Sequence, residues 1–81
     1  MRLLFKYKTR AGTFYIGQSD DGRFHAIYDE ESLGCYQFDW QAAEDLAMNA
    51  TSTVLHYESG EELDTSELGI PEDIDDWERI S

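Results

Sequence analysis

At 81 residues the chain has room for one domain and no more. Eighteen acids against six Lys and Arg set a net charge of −12, a field that argues against a nucleic-acid binder. The lone Cys35 excludes an intrachain disulfide or a Cys-x-x-Cys site, and Lys6 and Lys8 break the early apolar run before it reaches signal-peptide or membrane-span length.

Residues 2–9 alternate as a strand, with Leu3, Phe5 and Tyr7 on one face, Arg2, Lys6 and Lys8 on the other, and Leu4 as the one discordant residue. Arg10-Ala11-Gly12 supplies a turn, and Thr13–Gln18 a second strand. Ser19-Asp20-Asp21-Gly22 is the clearest turn signal, followed by a third strand over Arg23–Tyr28. A three-residue loop Asp20-Asp21-Gly22, with Gly22 left-handed, sets Phe14 and Ile16 on the face of Phe24, Ala26 and Tyr28. A loop one residue shorter or longer would mate them with Arg23, His25 and Ile27, so the pattern selects the first register. Bringing the first strand to the same face requires an even-length first turn. The opposite face then shows Lys6, Lys8, Tyr15, Gly17, His25 and Ile27, a mixed surface.

Asp29–Ser32 reads as a charged loop and Gly34–Phe38 as a short extended segment. Asp39 is a good N-cap for a helix over Trp40–Asn49, with Trp40, Ala43, Leu46, Ala47 and Ala50 on one stripe and Gln41, Glu44 and Asp45 pointing away. Thr51–Tyr57 is β-branched and apolar enough for a fourth strand, ended by Ser59-Gly60. In the acidic remainder, Pro71 and the acids after it resemble a helix start. Ile70, Ile74, Trp77 and Ile80 then recur at helical spacing, which predicts a short helix or turn docked on the domain.

The fold class expected is a two-layer α+β domain. It has an antiparallel sheet of three to four strands in the order β-β-β-α-β, one main helix on one face, and a docked acidic C-terminal segment. The domain spans 1–81, with a core over 1–58 and the acidic segment over 59–81. Trp40, Leu46 and Trp77 should meet the face built by Leu3, Phe5, Phe14, Ile16 and Phe24.

Charge is split along the chain: residues 1–19 hold Arg2, Lys6, Lys8 and Arg10 and no acid, and every acid follows, accompanied only by Arg23 and Arg79. Lys6, Lys8 and Arg10 beside Tyr15 and His25 could stack nucleobases as a basic–aromatic strip. They could instead be solvated or paired with tail acids, which the −12 favours, or the mixed face or an edge strand could be buried in a homodimer. Glu44 and Asp45 form the wet side of the helix, where a basic partner could bind. No nucleophile, base and orienting group converge by sequence. Cys35 reads as a small buried hydrophobe, and His25 and His56 have no second ligand at metal spacing. Glu72, Asp73, Asp75 and Asp76 lack the spacing of a calcium loop. No cofactor is expected.

Leu33-Gly34-Cys35, Asp39, Ala42-Ala43-Glu44 and Leu46-Ala47 resemble the HicB antitoxin pattern over roughly residues 13–57. That resemblance implies a partial RNase-H-like fold whose acidic surface occludes a small basic toxin ribonuclease. Thr13–Gln18, Asp21-Gly22-Arg23 and the run from Leu68-Gly69-Ile70-Pro71 to Trp77-Glu78-Arg79 resemble a group of small bacterial proteins with no assigned activity. The function expected is a cytoplasmic, non-enzymatic acidic module that binds a basic protein, as a monomer or homodimer and away from membranes. The alternative is a small RNA-associated protein using the basic–aromatic sheet face.

Overall fold

The computed structural model describes residues 1–80. Four strands come first: β1 (Arg2–Thr9), β2 (Gly12–Gln18), β3 (Phe24–Tyr28) and β4 (Glu31–Tyr36). Helix α1 (Asp39–Ala47) follows, then the short strands β5 (Val54–Leu55), β6 (Glu62–Leu63) and β7 (Glu78–Arg79). The main sheet is antiparallel and five-stranded, in the order β4-β3-β2-β1-β7, and β5 pairs only with β6 in a separate ladder. The molecule is therefore a small α+β domain with one helix against one sheet.

The second hairpin has the register that its pattern selects. Phe14 faces Tyr28, Ile16 faces Ala26 and Gln18 faces Phe24. Ser19 closes the loop by donating its amide to the Arg23 carbonyl at 2.9 Å, and Gly22 is left-handed at φ +85°. The first turn is the even-length one required, Arg10-Ala11 between Thr9 and Gly12.

Leu4 explains itself at a β-bulge. Phe5 pairs with Ile16 but Leu3 with Gly17, so β1 carries one extra residue there. Leu4 packs against the core, whereas Leu3, expected inside, lies on the opposite face at 38% exposure. A bulge shifts the alternation by one, and Leu3 follows the shift.

The connection after β3 is tighter than a charged loop. Tyr28 pairs with Glu31 across the two-residue turn Asp29-Glu30, whose φ values are +50° and +66°. Positive φ at both positions is the hairpin turn matched to strand twist, here built without glycine. Glu31 onward is therefore strand, and β4, not Thr51–Tyr57, is the fourth member of the sheet. Only Val54 and Leu55 are extended in that later stretch, and they pair with Leu63 and Glu62.

Helix α1 begins one residue earlier than the capping pattern suggests. Phe38 is the N-cap, Asp39 the first helical residue, and Gln41 Oε1 accepts the Phe38 amide at 3.1 Å. Ala42, Ala43 and Leu46 are the buried face. At about 100° per residue, Trp40 lies about 110° from the centre of that arc. It is 48% exposed, so the expectation that it meets the core is corrected. The helix ends in a Schellman pair, with the Ala50 amide on the Asp45 carbonyl at 2.8 Å and the Asn49 amide on the Leu46 carbonyl at 3.3 Å. Asn49 takes the left-handed position at φ +55°.

The core joins Phe5, Phe14, Ile16, Ala26 and Tyr28 of the sheet to the helix face and to Val54, Leu68, Ile70 and Trp77. Phe14 and Tyr28 stack at 4.6 Å, and the Tyr28 hydroxyl donates to the Ala11 carbonyl at 2.6 Å. Thr65 is fully buried, its hydroxyl donating to the Leu46 carbonyl at 2.5 Å while Asn49 Oδ1 accepts its amide at 3.2 Å. The run from Ile70 forms a single 3-10 turn over Ile74–Asp76, capped by Asp73, whose carboxylate accepts the Asp75 amide at 2.9 Å. Trp77 then lies against Tyr7 with ring centroids 5.9 Å apart, and Glu78 and Arg79 pair with Lys6 and Phe5. Ile74 is half-buried and Ile80 exposed.

Candidate interaction surfaces

The sheet brings four of the seven candidate residues onto one face. Lys6 is opposite Tyr15, Lys8 opposite Thr13, Tyr15 opposite Ile27, and His25 opposite Gly17 and Cys35. This is the face away from α1. Arg10 leaves the group: its Nη1 donates to the Glu67 carbonyl at 2.9 Å. Lys6 Nζ lies 3.3 Å from Glu78 Oε2, so part of the basic strip is neutralised within the chain. Glu44 and Asp45 are on the helix, in the other layer.

An open groove of about 720 Å³ runs along the sheet face, walled by Met1, Leu3, Tyr15, Ile27 and Tyr57, with Asp29 and Glu30 at its rim. Gly17 permits the close packing beneath it: a Cβ there would meet Met1 Sδ at 3.0 Å and Ile27 Cδ1 at 3.1 Å. A hydrogen bond to the neighbouring Glu58 carboxylate, and then that group's negative charge, push the Tyr57 phenol up from its ordinary value.

His25 is held by two serines, with Nδ1 2.9 Å from Ser32 Oγ and Nε2 3.2 Å from Ser19 Oγ. Ser19 commits its proton to the Asp21 carboxylate, so in the neutral imidazole Nε2 donates and Nδ1 accepts. That hydroxyl, with the Arg23 amide at 3.1 Å, holds the Asp21 carboxyl below its ordinary value. Cys35 is exposed, which corrects the expectation of a buried thiol. The reason is a β-bulge: Ala26 pairs with Gly34 but Ile27 with Ser32, so Leu33 is the extra residue turned into the core, while Cys35, opposite His25, lies on the outer face of the edge strand. His25 is its cross-strand neighbour, yet both ring nitrogens are engaged by serines, so the geometry lends the thiol no base. Among the described residues, no group of His, Cys, Asp and Glu converges to hold a metal ion.

The helix side carries residues that sequence reasoning placed elsewhere or passed over. Phe38 and Trp40 lie nearly parallel, with centroids 5.9 Å apart and planes 10° from each other, and are 46% and 48% exposed. The available signal was helix phase: three small or branched residues, Ala42, Ala43 and Leu46, define an arc that leaves Trp40 outside. Trp40 and Glu44 also wall a groove of about 290 Å³ with Glu72, Asp73 and Ile74. Asp45 sits beside Tyr36, whose hydroxyl is pushed well above its ordinary value, first by burial and then by that carboxylate.

No family model matches the chain, and neither the curated proteins nor the solved structures contain a match. Among the described residues no helix is long and apolar enough to cross a membrane.

Proposed function

We propose that the protein is a non-enzymatic interaction module that binds a basic protein partner in the cytoplasm. One observation carries this. With eighteen acids and six Lys and Arg, at least twelve carboxylates have no cation in the chain to pair with. Of those six cations, Lys6 is already engaged by Glu78, and the net charge stays at −12 however such pairs form. Such a field steers a cationic partner toward the surface and repels phosphate. The resemblance to HicB supports a narrower form, in which the partner is a small basic toxin.

An oligo-lysine peptide titrated by calorimetry at low and moderate salt tests the module. The expected result is saturable binding that weakens severalfold as salt rises. Absence of binding at low salt would reject it. A single-stranded RNA mobility shift tighter than the peptide would favour the sheet face bearing Lys6, Lys8, Tyr15 and His25 instead.

A further inference from the structure

Phe38 and Trp40 place two large rings half in water at the start of α1, where the core makes little use of them. A scattered exposed aromatic is ordinary on a protein surface. Here the two rings are parallel, and Trp40 is also one wall of the groove shared with Glu44, Glu72, Asp73 and Ile74. Three carboxylates from two segments distant in sequence thus border an open indole. Asp73 is held in place by its capping bond from the Asp75 amide, and Asp39 at the first helical position offsets the positive helix end.

We infer that this groove takes an arginine side chain from the basic partner. The inference rests on the interaction-module reading and assigns its site. A guanidinium is planar and weakly hydrated, so it can lie flat on an indole while its N–H fork reaches carboxylates on the adjoining walls. An ammonium satisfies the same carboxylates as a point charge but has no plane to stack. Trp and Arg are the residues that most often carry interface energy, and an aromatic shelf walled by acids suits that pairing. The groove's charge also selects against anionic ligands.

The test compares oligo-arginine and oligo-lysine peptides of equal length against the ¹⁵N-labelled protein. Its two indoles provide an internal reference, because Trp77 is 5% exposed and donates Nε1–H to the Pro71 carbonyl at 3.0 Å. On titration with arginine the Trp40 indole resonance should move saturably while that of Trp77 stays. Arginine should bind severalfold tighter than lysine, and Trp40→Ala should weaken it about tenfold and erase the preference. Glu44→Gln and Glu72→Gln should each weaken both peptides without moving the Trp77 resonance. Equal affinity of the two peptides, or a Trp40→Ala variant that binds as the parent does, overturns the site but leaves the acidic module standing. Absence of binding by either peptide overturns both.

Discussion

Trp77→Ala is the perturbation that best probes the structure, because it acts where the last strand meets the first. The side chain is 5% exposed, lies against Tyr7, and hydrogen-bonds the Pro71 carbonyl. Burying a ring of this size removes roughly 150–250 Å² from water, an upper contribution of roughly 4–6 kcal/mol. Partial collapse of the vacated space brings the expected loss to about 3–4 kcal/mol. An 81-residue domain has a total stability of roughly 4–12 kcal/mol, so this is a large share of it. Thermal unfolding followed by far-ultraviolet circular dichroism should therefore show a fall in Tm of about 12–30 °C. Trp77→Phe should recover more than half of that, since it restores most of the volume and loses only the indole bond and part of the ring. A Trp77→Ala protein melting within a few degrees of the parent would refute the reasoning. The contacts of Trp77 with Tyr7 and Pro71 would then contribute nothing to stability.

Three other outcomes follow from single interactions. Thr65→Val keeps the volume but removes the buried hydroxyl that donates to the Leu46 carbonyl, and should cost about 1–2 kcal/mol in urea unfolding with an unchanged m-value. Glu30→Gly relieves a left-handed residue in the β3–β4 turn and should raise stability by about 1 kcal/mol, or Tm by about 4–8 °C. Tyr36 has a folded-state pKa raised above the unfolded value of 10.0, so its stabilising effect is complete below that pH and is lost as pH rises beyond it. Alkaline unfolding curves should accordingly be flatter for Tyr36→Phe. Phenolate absorbance should show a component ionising with the unfolding transition in the parent that is lost in Tyr36→Phe.

How much of this protein can be read from its chain depends on sequence separation. Phe14, Ile16, Phe24, Ala26 and Tyr28 alternate around Asp20-Asp21-Gly22, and loop length plus side-chain period leaves one register that keeps them together. The same logic covers the Arg10-Ala11 turn. Leu4 was visible as an irregularity, but whether it or Leu3 would turn inward depended on pairing with β2. Of the candidate surface, the shared face of Lys6, Lys8, Tyr15 and His25 follows from alternation. The departure of Arg10 to Glu67, 57 residues away, does not.

Local periodicity and turn chemistry thus determined the three-stranded meander, the existence of the helix and the one-sided charge, because each is decided among near neighbours. Tertiary structure decided the rest. Two-residue strands such as Val54–Leu55 and Glu78–Arg79 are too short for any pattern to specify; they exist because a distant partner supplies the hydrogen bonds. The phase of α1 was settled by which side chains could approach the sheet closely. Two alanines and a leucine could, and the bulky indole of Trp40 was left outside beside Glu72 and Asp73. Cys35 became exposed because pairing with β3 places a bulge at Leu33, which sends Leu33 inward and leaves Cys35 on the outer face of the edge strand.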